Sequence, residues 1–337
     1  ETFRIIQLTD THLGESNSND KLSIESFINL TSYEDPDLIT ISGDFVSGYA
    51  YNGTKGWFKD TFDYGITPII NSNIPWAYTL GNHDDQADWN RTQIIGYAST
   101  LQNSYTQLGP INIGGVSNYV LTIYDTNDKP VANVWYLDSL DTNCYNVKGW
   151  GCVEFTTVEW YKNTSIQLEN KFGKLPGFMY IHIPLPELLF LYNNENTVGK
   201  MQDSCICCWS LNTGLFSVIE ERQDIVAIFH GHDHDNDFYG LYNDVYMGYG
   251  RKTGYGGYGP PVDMPRGARV IQFPCNPSGK MNFTTWIREN NGNKITVQPK
   301  LNPGKWDKWT QCGGAQFNTN FDIAKFYDDT WKHDHHL

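Results

Sequence analysis

The sequence predicts an α/β fold whose chemistry sits at strand ends, and three observations carry that prediction. Short, nearly continuous apolar runs recur along the chain, helix-like stretches separate them, and polar clusters rich in Asp, His and Asn follow them. In sheets covered on both faces, ligands gather beyond the carboxyl ends of the strands.

Strands are expected over residues 3–8, 38–42, 76–80, 131–137, 178–183 and 225–229, each rich in β-branched or aromatic residues and each running straight into polar ones. Helices are expected over 22–30, 86–101, 157–171 and 214–221. From Ala268 onward, alternation of apolar and polar residues predicts a few closing strands, followed by a Trp-rich tail. No internal repeat or Pro/Ser linker divides the chain, which predicts one domain over 1–310 and an extension over 311–337. The Gly/Tyr-rich segment 248–259 is the one compositional oddity.

Composition narrows the function. With Lys+Arg 24 against Asp+Glu 38, the formal charge of −14 argues against a nucleic-acid polymer held on a broad basic face. A phosphate must instead be drawn locally, and divalent ions would do so inside an acidic protein. No apolar run approaches the roughly 18 residues that span a bilayer. The chain opens on Glu1-Thr2-Phe3 without Met and carries sequons at Asn29, Asn52, Asn90, Asn163 and Asn282. Together with its 7 cysteines these features predict a secreted or lumenal glycoprotein. Cys144 and Cys152 are close enough to close a small loop. Cys205, Cys207 and Cys208 read as disulfide partners, with Cys275 or Cys312 opposite them; zinc binding is the alternative, but the cluster has no nearby His in sequence.

Five polar clusters follow five of the strands: Asp10-Thr11-His12, Gly43-Asp44, Gly81-Asn82-His83-Asp84, His182, and Gly231-His232-Asp233-His234. Residues two apart at a strand end point to one side, so Asp10/His12 and His232/His234 are each expected to present a pair of ligands. Glycines beside Asp44, Asn82 and His232 let the backbone turn tightly. A lone Asp after a strand is commonly a helix cap and a lone Gly-Asn a turn, but five such clusters in order favour a metal centre. Carboxylate, imidazole and amide donors suit zinc, iron or manganese. His230 is expected to be a strand-end histidine with a hydrogen-bond partner. His333, His335 and His336 in the tail are excluded from the site.

These ordered blocks resemble the calcineurin-like metallophosphoesterase superfamily, from Phe3 to about Phe273. His182-Ile183-Pro184-Leu185-Pro186-Glu187, Gly231-His232-Asp233-His234-Asp235-Asn236-Asp237-Phe238 and Arg266-Gly267-Ala268-Arg269-Val270 are similar to its purple-acid-phosphatase-like subgroup of plants and fungi. The resemblance implies a four-layer α/β/β/α sandwich of two mixed sheets. It implies that Asp10, His12, Asp44 and His234 hold one ion while Asp44, Asn82, His182 and His232 hold the other, with Asp44 bridging. Purple acid phosphatases proper read Gly-Asp-x-x-Tyr, but here Ser47 takes the place of the iron-binding tyrosine, so no purple chromophore is expected.

The implied chemistry is attack of a metal-bound hydroxide on a phosphate ester, with His83 as general acid and Asp84 orienting its ring. Phosphate monoesters, on a phosphoprotein or a small molecule, are the expected substrates. Two alternatives stand beside them: a phosphodiesterase acting on a nucleotide or lipid headgroup, and a catalytically silent secreted binding protein. Arg251 and Lys252 are candidate substrate contacts, against the alternative of a solvated loop.

Overall fold

A computed structural model describes residues 1–193, 197–260, 263–275, 282–301 and 312–313. The extension expected over 311–337, with its three histidines, lies outside the described residues apart from 312–313.

The strands in chain order are β1 Thr2–Leu8, β2 Leu38–Ser42, β3 Trp76–Thr79, β4 Tyr119–Tyr124, β5 Pro130–Leu137, β6 Thr142–Cys144, β7 Val147–Trp150 and β8 Gly177–Ile181. They continue with β9 Thr197–Val198, β10 Ile225–His230, β11 Tyr239–Tyr242, β12 Val245–Tyr249, β13 Gly267–Pro274, β14 Thr284–Glu289 and β15 Lys294–Ile295. The helices are α1 Asn17–Glu34, α2 Trp57–Asn71, α3 Arg91–Ala98, α4 Phe155–Phe172, α5 Glu187–Asn193 and α6 Leu215–Arg222.

The described residues form two large sheets and a two-stranded one, β6-β7. The six-stranded sheet runs β15-β14-β13-β1-β2-β3, and the seven-stranded sheet runs β4-β5-β8-β10-β12-β11-β9. Both are mixed: β1, β2 and β3 pair parallel, as do β5, β8, β10 and β12, while outer strands pair antiparallel.

Period-two alternation divides these strands among three apolar cores and so builds four layers. Ile6, Leu8, Ile39, Ile41, Trp76 and Tyr78 point outward to α1, α2 and α3. Ile5, Leu38, Ala77, Val134, Tyr136, Phe178, Tyr180, Ala227 and Phe229 fill the space between the sheets. Trp135, Leu137, Met179, Ile181 and Ile228 point to the other outer side, beneath α4, α5 and α6. The central strands β2, β3, β5, β8 and β10 are buried on both faces, which is why they read as unbroken apolar runs. The architecture is the α/β/β/α sandwich of two mixed sheets expected above.

The helix expected over 86–101 is shorter, beginning at Arg91 behind a capping box in which Asn90 accepts from Gln93 N–H. Residues 86–90 are instead a turn. Helix α2 has no counterpart among the expected elements. Its Gly65 and Pro68 weaken the helical signal. The glycine lets the helix pack closely, because a Cβ there would meet Leu13 Cδ1 at 2.0 Å and displace that side chain.

Candidate metal centre

The parallel strands of both sheets end on one edge, and the seven expected ligands come together there. All are buried, with exposures from 0% at Asn82 and His182 to 8% at His232. Asp10, His12 and His234 form one cluster and Asp44, His182 and His232 a second, the ligand atoms in each lying within 4.8 Å of one another.

Asp44 sits between them. Its Oδ2 is 3.0 Å from His182 Nε2 and 3.6 Å from His12 Nε2, while Oδ1 accepts the His83 N–H. Asn82 completes the second cluster, with Oδ1 at 3.1 Å from His182 Nε2 and 2.8 Å from His232 Nδ1. In the first cluster His12 Nε2 and His234 Nε2 approach to 3.1 Å.

The local backbone differs from the expected strand-end alternation. Asp10, His12, Asp44 and His232 all adopt positive φ, at 52°, 51°, 49° and 77°. Left-handed turns beyond the strands, not the pleat, aim these side chains. Four strained non-glycine residues in one site mark a place where the surrounding structure holds geometry for function. Glycine is obligatory at two neighbouring positions: a Cβ on Gly81 would lie 2.2 Å from Asp44 Oδ1, and one on Gly231 would lie 2.6 Å from Asp10 Oδ2.

Partners behind the imidazoles fix which nitrogen faces inward. His182 Nδ1 pairs with the Ser42 carbonyl at 2.8 Å and His234 Nδ1 with the Tyr258 carbonyl at 2.9 Å. His12 Nδ1 lies 2.9 Å from Ser47 Oγ, which in turn donates to Glu15. Ser47 thus occupies the position of the missing tyrosine and supports a ligand from behind. Tyr49 joins the same network through His12 and Glu15.

Burial disfavours charge on His12, His232 and His234, and Lys252 beside His12 and His234 and His182 beside His232 add to it, so all three fall below the ordinary imidazole range. Burial acts the same way on His182, but Asp44 and Asp10 prevail and raise it to about 9. Asp10 is held well below the carboxylate range, since burial is outweighed by its histidine neighbours. Three neutral imidazoles and an ionised carboxylate are the donor forms that a cation needs. Asn82 Nδ2 is buried with no partner among the described residues while Oδ1 points into the cluster, the orientation expected of an amide-oxygen ligand.

Three expectations are corrected. Asp84 does not orient His83: its carboxylate accepts N–H groups from Asp44, Phe45, Val46 and Gly81, pinning two site turns together. The His83 ring is held instead through Nδ1 by Gln86 Oε1 at 2.8 Å. Arg251 is only 2% exposed; its guanidinium pairs with Asp237 and donates to the Pro265 carbonyl, so it holds the loop and does not face a ligand. Lys252 is 1% exposed and donates to the Asp10 carbonyl at 2.8 Å, which steadies the left-handed turn at that residue. The solvated-loop alternative fails as well, because the segment 248–259 packs on the site, with Tyr258 stacked on His234 at 4.0 Å.

His230 is as expected, bonded through Nδ1 to the Ile181 carbonyl at 2.9 Å. Glu15, Tyr49, Gln86 and Trp150 support the site without any sequence signal that marked them, while Ser47 and Tyr258 lie at marked places, the missing-tyrosine position and the Gly/Tyr-rich segment, with no supporting role read there. Trp150, whose ring edge meets His232 at 4.4 Å, comes from β7, a strand absent from the expectations. Cys144 pairs with Cys152 and Cys208 with Cys312, as anticipated, whereas Cys205, Cys207 and Cys275, read from the sequence as further disulfide partners, are unpaired.

Comparison with known proteins agrees with this geometry. The chain is 32% identical over 96% of its length to the Arabidopsis thaliana protein named "Probable inactive purple acid phosphatase 14", covering 88% of that protein. It is 28% identical over 87% of its length to the phosphatase DCR2 of Saccharomyces cerevisiae, covering 54% of it. Among solved structures, a dimetal phosphatase from Danio rerio shares the fold with a TM-score of 0.58 at 12% identity, over 88% of this chain and 99% of that one. The purple acid phosphatase PPD1 of yellow lupin does so with a TM-score of 0.51 at 12% identity, over 96% of this chain and 57% of that one. The family model described as calcineurin-like phosphoesterase matches residues 3–236, and with that match, laid over the two clusters and the two mixed sheets, the chain belongs to the calcineurin-like phosphoesterase family.

Proposed function

We propose that the protein is a two-metal phosphoesterase that hydrolyses phosphate monoesters, on a phosphoprotein or a small ester. One observation carries the reading: seven buried donors form two clusters that share the Asp44 carboxylate. Asp10, His12, Asp44 and His234 would hold one ion, and Asp44, Asn82, His182 and His232 the other. This donor set suits zinc, iron or manganese. Two ions bound there supply Lewis acidity and a water that ionises near neutral pH.

The chain's own contribution is to aim these donors and to deliver a proton. His83 is half-buried beside the first cluster, its ring 5.5 Å from that of His12. With Nδ1 donating to Gln86, the proton for the leaving oxygen is the one on Nε2. Asp84 serves this step indirectly, by fixing the turn from which His83 projects. Two disulfides and the exposure of all five sequon asparagines support a secreted or lumenal glycoprotein. The domain limits 1–310 and 311–337 stand as part of the same proposal.

The test is metal analysis followed by initial rates on p-nitrophenyl phosphate and bis-p-nitrophenyl phosphate. Two ions with monoester preference is the expected result. Diester preference would replace the monoesterase reading with a nucleotide or lipid-headgroup diesterase. Two bound ions with no turnover of either ester would make the protein a silent binder, in line with the word "inactive" in the Arabidopsis protein's name.

A further inference from the structure

The cysteines left over by the two disulfides are not scattered. Cys205, Cys207 and Cys275 are unpaired, and the first two face each other with Sγ atoms 2.7 Å apart. They lie on a clamped segment: Cys208 is tied to Cys312, and Gly313 N–H donates to the Ile206 carbonyl at 2.8 Å. They also reach the metal turn. The Cys207 N–H donates to Asp233 Oδ2 at 3.0 Å, and Asp233 stands between His232 and His234. The Cys207 sulfur, the His232 imidazole and the Asp233 carboxylate have ligand atoms within 4.8 Å of one another.

We propose that Cys205 and Cys207 are a redox-active pair that closes to a third disulfide and thereby holds the turn carrying His232 and His234. The oxidant is a low-molecular-weight disulfide of the glutathione type. One cysteine sulfur attacks it and releases one thiol; the second cysteine sulfur then displaces the other thiol from the mixed disulfide. Two protein thiols become one disulfide and the small disulfide becomes two thiols, so electrons and protons balance. Closure fixes the Cys207 backbone, and with it the N–H that steadies Asp233. It also removes a soft sulfur donor that competes for the ion beside His232. The open pair has neither effect. With Cys205 and Cys207 joined, Cys275 is the one unpaired thiol that the odd cysteine count requires.

The experiment equilibrates the full chain in glutathione buffers of increasing oxidising poise, quenches with acid, alkylates under denaturing conditions and maps the peptides by mass spectrometry. Oxidising buffer should leave Cys275 alone alkylated, with Cys205 and Cys207 joined; reducing buffer should add both, at a poise that spares the other two disulfides. Alkylation of Cys205 and Cys207 at every poise, or their pairing with any other cysteine, would overturn the proposal. This readout needs no bound metal, so it stands apart from the phosphoesterase reading. The link to the metal turn does rest on that reading, and is measured as the rate of metal loss to a chelator. Oxidised protein should lose metal about 10-fold more slowly, within the range for a partner behind a ligand. The difference should vanish in Cys205→Ser and Cys207→Ser and persist in Cys275→Ser. Equal rates at both poises in the unmodified chain would refute the link.

Discussion

In the cluster of Asp10, His12 and His234, the supports are Ser47 and Glu15 behind His12, Tyr258 against His234 by both ring and carbonyl, and Lys252 under Asp10. In the cluster of Asp44, Asn82, His182 and His232, the supports are the Ser42 carbonyl behind His182, the Asp84 carboxylate that gathers amides from two turns, and Trp150 against His232. The two halves thus rest on separate sets of side chains and meet at Asp44. Substitution of supporting residues should therefore separate the two ions, and only a shared residue should remove both.

Asp44 is that residue, and its replacement should have the largest effect. Asp44→Asn should lower the affinity for both ions and reduce phosphatase activity by more than the ~10⁴-fold upper range of a lost general acid. Metal analysis alongside thermal unfolding checks it, because a folded variant with both ions retained at wild-type affinity would mean that the halves do not share a carboxylate.

In the proposed mechanism His83 belongs to neither half as a ligand, although its backbone bonds Asp44 and its ring lies near His12. His83→Ala should keep both ions and lose ~10²–10⁴ in rate on an ester with a poor leaving group, and less on p-nitrophenyl phosphate, whose leaving group needs little protonation. Equal losses on both esters with metal depletion would move His83 among the ligands.

Ser47→Ala tests the contrast directly. Removing a partner behind a ligand typically costs ~10–100-fold in metal affinity, and here the loss should fall on the half containing His12 while the other ion stays. Competition with a graded chelator would show one ion released early and one late. Parallel release of both would erase the distinction between the halves.

The same contrast explains what the sequence revealed. The proposed ligands are legible because each follows a strand whose apolar run is visible in one dimension, and because few histidines lie elsewhere. Their supports are not: Glu15 is a common residue type on a loop, Ser47 stands out only as the absence of a tyrosine, and the Gly/Tyr-rich composition around Tyr258 does not say that this segment folds back onto the site. Arg251 and Lys252 were misread for a related reason: a charged pair in a Gly/Tyr-rich segment looks solvated until the segment is seen to pack on Thr11 and His12. Asp84 was placed beside His83 by sequence proximity, whereas four backbone amides from two turns compete for its carboxylate. Helix α2 was hidden by the glycine that lets it approach Leu13.

The smallest expected effect concerns charge around the second half, where the neighbour is acidic while the first half has Lys252. Asp141 is raised to about 6, by burial first and then by the Asp85 carboxylate, with His83 and Arg91 opposing. One of its oxygens, Oδ1, is buried without a hydrogen-bond partner. A carboxyl raised from 3.8 to about 6 on folding favours the folded state fully below pH 3.8, and that contribution is lost as pH rises through 6. In metal-free protein, Asp141→Asn should therefore change stability little near pH 4 and raise it above pH 7, by on the order of 1–3 kcal/mol. Thermal unfolding at the two pH values measures the difference. Saturating metal should shrink it, because two cations nearby would themselves stabilise the ionised carboxylate. A gain of the same size at both pH values would assign Asp141 to packing and leave the two halves alike in their electrostatic surroundings.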